Sequence, residues 1–291
     1  MSKLIDIYSL LPLSNNPGIV TLHHIEMDPS TCKNYQTDDI MADQLYATYF
    51  SPTVDKNLLN EAITFPMTAI HNYCKTGLVK GEVLVDISTG ATPYQLFTLY
   101  KCFKKVIILE ANDCCVEDSQ KWLNKHPGAY HWGHAAKIAA ELEGNSDNGE
   151  GIEDDLRRHV EQVIKCNLDK ENPTDPFILQ KADCVISLYL VGDISTNLES
   201  YCHNMGTLCK MLKIGGRLIV IGTFGASHYT VGEHKYNMVT INEKDLGKAM
   251  CVNGLTIEHL EVMKSKVPND DIWYEHVFVV GAVKNKEVDA N

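Results

Sequence analysis

Positive charge is what this chain lacks first. Its 291 residues carry 26 Lys and Arg against 38 Asp and Glu, for a formal net charge of −12. The cations are scattered and form no basic patch, so a phosphate backbone meets repulsion and a nucleic-acid role is excluded. Apolar runs long enough to cross a bilayer, ~20 residues, are also missing. The nearest approach to a signal-peptide core, LIDIYSLLPL, contains Asp6 and lacks a small-residue cleavage site. Ten cysteines include no CxxC pair and no Cys/His group at zinc spacing, and His131, His134, His228 and His234 show no HExxH pattern. That excludes a metal centre. Cys102, Cys114, Cys115, Cys166, Cys184, Cys202, Cys209 and Cys251 mostly sit in apolar or helix-like runs, as reduced thiols of a cytoplasmic protein do. No nucleophilic triad is visible either.

What remains is ordinary globular composition, 44% hydrophobic and 22% charged. Residues 1–31 read as an irregular leader broken by Pro12, Pro17 and Gly18, with Met27 as a second start; residues 285–291 are a polar tail. Between them, 32–284 is expected to form one domain. Helical spacing covers 38–50 and 57–74, the latter kinked or broken near Pro66. An alternation then begins. Strands are expected over 82–87, 105–110, 184–190 and 217–222, and helices over 93–102, 113–123, 153–165 and 198–212. A hairpin-like insert (HYTVGEHKYNMVTI), a helix over 243–252 capped by Asn253-Gly254, and two closing strands follow. This order predicts a doubly wound, mostly parallel α/β sheet with an N-terminal helical cap and antiparallel closing strands.

In such a sheet, ligands bind at the carboxyl ends of the strands, at the switch point. The stretch VDISTGATPYQ (85–95) falls there. Gly90 permits positive φ or close approach of a ligand. Glu110, at the end of the next strand, is placed to accept ribose hydroxyls, and Asn167 in KCNLD to meet an adenine edge. A loop with one glycine also suits a βαβ turn of unrelated function.

The segments KWLNKHPGAYHWGHAAKIAAELEGN, KADCVIS, LCKMLKIGGRLIV and YTVGEHKY resemble the nicotinamide, indolethylamine and phenylethanolamine N-methyltransferase family, over roughly residues 32–284. The resemblance implies a Rossmann-like class I methyltransferase fold and S-adenosylmethionine as cofactor. It assigns Asp86, Ser88, Gly90, Thr92, Tyr94, Glu110, Cys115, Asn167, Leu168 and Tyr49 to the cofactor, with Tyr94 reaching the methionyl carboxylate. Several of these depart from the family pattern. Ser88 replaces a glycine, at about 1 kcal/mol or more if φ is positive, and Ala91 a proline. Glu110 and Asn167 replace aspartates, Cys115 an asparagine, and Leu45 and Phe50 tyrosines.

For the acceptor, the resemblance points to Leu45, Gly222, Ala226, Tyr229 and Met238. Gly222 stands where nicotinamide-methylating members carry aspartate, and Ala226 and Met238 where they carry serines. A roomier, more apolar pocket follows, suited to an aryl or alkyl amine. Tyr229 and Asp193 are the catalytic candidates, with His228 and Glu233 as further polar groups nearby. The expected function is S-adenosylmethionine-dependent methylation of a small amine by a monomer. The alternative is a non-catalytic relative, with a degraded cofactor site, that serves in binding or structure.

Overall fold

The computed structural model describes residues 32–145, 149–267 and 271–287. The expected leader, and residues 288–291 of the tail, lie outside them. The cap is built from α1 (Ala42–Tyr49), α2 (Lys56–Leu59) and α3 (Phe65–Lys75), the last two joined by a π-helical turn, Asn60–Thr64. Asp55 starts α2 by accepting from the amides of Asn57 and Leu58. Instead of breaking near Pro66, the helix continues through the π turn. In an α-helix the Ala62 carbonyl would bond the amide that Pro66 lacks; the Tyr94 hydroxyl donates to that carbonyl at 2.7 Å.

Next come β1 (Gly81–Ile87), β2 (Phe103–Glu110), α4 (Asp113–Leu123), α5 (Gly133–Leu142), α6 (Ile152–His159) and β3 (Val160–Lys165). They are followed by β4 (Ala182–Leu188), α7 (Leu190–Ile194), α8 (Leu198–Lys210), β5 (Leu212–Phe224), the hairpin β6 (His228–Val231) and β7 (His234–Asn237), α9 (Glu243–Val252), β8 (Leu255–Lys264) and β9 (His276–Lys284). The main sheet has the order β3-β2-β1-β4-β5-β9-β8. The first five strands pair in parallel, and β9 runs antiparallel to both neighbours. The doubly wound sheet with antiparallel closing strands is therefore as expected.

Three expectations fail locally. The helix over 93–102 is replaced by two 3₁₀ turns, Tyr94–Leu96 and Tyr100–Cys102. This segment is buried, and Tyr94 and Thr98 commit their hydroxyls to backbone carbonyls of the cap. The helix over 153–165 ends at His159, and its second half is the strand β3. Leu156, Val160 and Val163 keep helical spacing, but β-branched residues beside the open edge of β2 take the ladder instead. Finally, α5 stands in a stretch given no helix, burying Ala135, Ala136, Ala139 and Ala140. All ten cysteines are free thiols. Among the described residues, no helix is long and apolar enough to cross a membrane, and no group of His, Cys, Asp or Glu could hold a metal ion.

Candidate active site

Strand order reverses between β1 and β4, and the loop after β1 lies at that point. The loop is fastened to β4 on both sides. Thr89 N–H donates to the Leu188 carbonyl at 2.9 Å, and Leu188 N–H donates to Ser88 Oγ at 3.1 Å. Ser88 Oγ in turn donates to Asp86 Oδ1 at 2.6 Å, while Gln95 Nε2 donates to Asp86 Oδ2 at 2.9 Å. Burial pushes Asp86 up to about 7, against the pull of these two donors. Ser88 is not among the described residues with positive φ, so the strain attached to replacing a glycine does not arise. Gly90 does have positive φ, +79°, and a Cβ there would meet Leu45 Cδ2 at 3.0 Å.

Two cavities flank the loop. The smaller, about 300 Å³, is lined by Asp86, Ser88, Gly90, Thr92, Glu110 and Trp122 among others. Glu110 is fully buried at the end of β2, and burial raises its carboxyl to about 8. Its Oε1 accepts from the Tyr35 hydroxyl at 2.8 Å and from Asn112 N–H at 3.0 Å. The same Tyr35 oxygen accepts from Gly90 N–H at 2.7 Å. Cys115 is buried close by; burial raises the Tyr35 phenol, and the nearness of Cys115 raises it further. Beyond the end of β3, Asn167 Oδ1 accepts from Asp169 N–H in a local turn, and Leu168 N–H donates to Gln36 Oε1 at 2.9 Å. Asp86, Ser88, Gly90, Thr92 and Glu110 thus share one cavity, with Asn167 and Leu168 on the loop after the neighbouring strand.

Three members of the cofactor set line neither that cavity nor that loop: Cys115, buried beside Tyr35, and the tyrosines Tyr94 and Tyr49. Tyr94 lines neither flanking cavity; its hydroxyl is taken by the cap, because Pro66 leaves a carbonyl to satisfy. Tyr49 lines the larger cavity instead, where its hydroxyl donates to Thr230 O at 2.7 Å and accepts from Thr230 N–H at 3.1 Å. It ties α1 to β6.

The larger cavity, about 500 Å³, is lined mostly by apolar and aromatic side chains: Leu45, Tyr49, Phe50, Leu58, Tyr189, Tyr229, Met238, Ile272 and Tyr274, with Thr89, Asp193 and Thr223. Leu45, Tyr229, Met238 and Asp193 are thus brought together in this one cavity. Gly222 and Ala226 do not line it. A Cβ at Gly222 would sit 2.6 Å from the Phe278 ring, and both residues line a separate cavity of about 300 Å³ that shares Tyr189, Thr223 and Met238 with the larger one. Ala226 is packed into the core. His228 pairs with Ser227, and Glu233 lies in the exposed hairpin turn.

Asp193, on α7, is 2% exposed, and burial raises it to about 7. Its Oδ2 accepts from Thr89 Oγ1 at 2.6 Å. Asp193 Oδ1, Tyr229 Oη and Thr223 Oγ1 are all buried without a hydrogen-bond partner. All three residues line this one cavity, so these atoms are available to a polar ligand there. Sequence reasoning missed Tyr35, Gln36, Thr89, Asn112, Tyr189 and Tyr274. Tyr189 is the least predictable of these, because it leaves β4 with φ 61°, a left-handed conformation rare outside glycine.

The chain matches the NNMT/PNMT/TEMT family over residues 30–285. It is 34% identical to indolethylamine N-methyltransferase of Oryctolagus cuniculus over 213 residues, which covers 73% of this chain and 81% of that protein. Against nicotinamide N-methyltransferase of Homo sapiens it is 34% identical over 191 residues, covering 66% and 72%. Among solved structures, a methyltransferase from Streptomyces caelestis superposes with a TM-score of 0.53 at 12% identity, covering 87% of this chain and 98% of that one. Magnesium protoporphyrin IX methyltransferase from Synechocystis, with bound S-adenosylmethionine, gives 0.52 at 13% identity, covering 84% and 90%. The fold is that of class I methyltransferases, and the chain belongs to the NNMT/PNMT/TEMT family.

Proposed function

We propose that the protein is an S-adenosylmethionine-dependent N-methyltransferase whose acceptor is a small aryl or alkyl amine held in the larger cavity. The single observation that carries this reading is Asp193. It is a buried carboxylate with one oxygen unpartnered, in an apolar cavity rich in tyrosine, against the loop that also lines the cofactor cavity. A buried anion beside aromatic faces favours a cationic or N–H-bearing guest. The names of relatives such as indolethylamine, nicotinamide and phenylethanolamine N-methyltransferase favour the enzyme over the non-catalytic alternative.

The groups around the smaller cavity suit the cofactor chemically. Glu110 already accepts from a hydroxyl, Gly90 N–H already donates to one, and Leu168 N–H already donates to an amide oxygen. These are the partners a ribose hydroxyl and an adenine edge need. When bound, S-adenosylmethionine supplies an electrophilic methyl on sulfur, so the protein has mainly to align the reacting atoms and exclude water. Asp193 takes one N–H proton from the incoming ammonium, which frees the nitrogen lone pair for in-line attack. Thr89 fixes Asp193 through Oδ2 and leaves Oδ1 for the amine. Leu45, Phe50 and Met238 surround the amine's carbon skeleton, and Tyr229 offers a ring face.

Asp193→Asn keeps the side chain's shape but cannot take a proton. With a panel of arylalkylamines, kcat/KM is expected to fall by about 10²-fold or more, while S-adenosylhomocysteine affinity measured by calorimetry stays unchanged. An undiminished kcat/KM in the variant removes Asp193 from the reaction. A wild-type chain that methylates no amine in the panel overturns the acceptor assignment.

A further inference from the structure

The groups assigned to the nucleoside are not idle in the structure; the chain's own turn at residues 34–38 satisfies them. The turn closes on itself: Asp38 Oδ2 accepts from Asn34 N–H at 2.7 Å, and Asn34 Oδ1 accepts from Gln36 N–H at 2.9 Å. It is pinned at both ends. Lys33 pairs with β7 through backbone bonds of 2.8 Å to Lys235 and Asn237, and the Tyr236 hydroxyl donates to Asp39 O at 2.8 Å. Between the pins, the Tyr35 side chain dives inward to full burial. Its hydroxyl sits between Gly90 N–H and the Glu110 carboxylate, at 2.7 and 2.8 Å. Asn112 Nδ2 secures the backbone behind it, donating to Tyr35 O and Asp38 O. One residue on, Gln36 lays its amide oxygen on Leu168 N–H at 2.9 Å and donates through Nε2 to Asp169 Oδ2 at 2.8 Å.

We propose that the 34–36 turn is an intramolecular occupant of the nucleoside site. Tyr35 stands in for a ribose hydroxyl on Glu110 and Gly90, Gln36 stands in for the adenine edge on Leu168, and cofactor binding requires the turn to leave. The inference rests on the S-adenosylmethionine reading above. Gly90 N–H and Leu168 N–H are single donors already spent on Tyr35 and Gln36, so a nucleoside that takes them must displace the turn. The apparent dissociation constant then equals the intrinsic one divided by the fraction of molecules with the turn withdrawn. Both pins bond through groups other than those of Tyr35 and Gln36, so the turn can swing out while Lys33 and Asp39 stay attached.

The test is calorimetric titration of S-adenosylhomocysteine into the full chain, into Tyr35→Phe, and into Tyr35→Phe combined with Gln36→Ala. Tyr35→Phe keeps the ring volume and removes both hydroxyl bonds. It is expected to bind at least tenfold more tightly than wild type, about 1.4 kcal/mol, and the double variant more tightly again. The unliganded melting temperature of each variant should fall while the saturated one holds. In wild type, amide exchange over residues 34–38 should quicken at saturating ligand, a readout that needs no variant to fold. Variants that bind no more tightly than a wild type that does bind overturn the proposal and leave the cofactor reading intact. So does exchange over 34–38 that slows on binding, because the turn would then be part of the ligand's cradle. No binding by any of the three chains at millimolar ligand overturns the cofactor reading itself.

Discussion

At Asp193 the two carboxylate oxygens have different lives, one held by Thr89 and one unpartnered, and both are buried. A carboxyl raised by burial from its ordinary 3.8 to about 7 binds more protons in the folded chain than in the unfolded one across that interval. Stability from this group is therefore complete at low pH and declines as pH rises through about 7. The amide that Asp193→Asn puts in its place does not titrate. The melting temperature of Asp193→Asn relative to wild type should thus be more favourable at pH 8 than at pH 5, with each kcal/mol worth about 2–4 °C in a chain of this size. A difference that is flat with pH would show Asp193 to be ionised and satisfied throughout. Ser88 makes a related point. Its hydroxyl replaces the conformational freedom of a glycine with two bonds that join β1 to β4.

Among the elements, the helical cap is the one whose form depends on a neighbour. Pro66 withholds an amide from the Ala62 carbonyl, a π turn absorbs the mismatch, and Tyr94 from the segment after the cofactor loop supplies the missing donor. Tyr94→Phe keeps the ring and orphans that carbonyl in a dry interior. The expected loss is about 1–2 kcal/mol by urea unfolding, with an unchanged m-value. No loss would mean the π turn satisfies the carbonyl without help. The same dependence on neighbours explains β3. Its residues keep helical spacing, and the edge of β2 turns them into a strand.

Across the whole molecule, the larger cavity, proposed above for the acceptor, is closed by parts far apart in the chain, and Glu61 joins them. This residue of the π turn is 1% exposed and accepts from Ser265 Oγ, Lys266 N–H and Tyr274 Oη at 3.0, 2.7 and 2.8 Å. It ties the cap, which supplies Leu58 and Ala62 to the cavity, to the connection between β8 and β9, which supplies Ile272 and Tyr274. Glu61→Ala strands three donors. It should destabilise the chain by about 2–4 kcal/mol in chemical denaturation and loosen the acceptor cavity, raising KM for the amine more than it weakens S-adenosylhomocysteine. Equal effects on both ligands would show that the cap serves the fold alone.

Much of this architecture was legible from the chain itself. Alternating apolar strands and helices dictate a parallel sheet, since only crossovers return the chain to the same edge. Gly90 and Glu110 announced themselves because a ligand loop needs backbone freedom at one place and an acceptor at the end of the next strand. Leu45, Tyr229 and Met238 were marked by the family resemblance, and Asp193 as a polar residue near them. Tertiary structure alone decided the rest. Tyr35 meets Gly90 and Glu110 across 55 and 75 residues, and Glu61 meets Tyr274 across 213. Local pattern carries no record of such pairs, because they exist only once the sheet has brought its strand ends together. For the same reason the surroundings of Gly222 could not be read locally: its lack of a side chain was visible, but the Phe278 ring beside it comes from a strand 56 residues away.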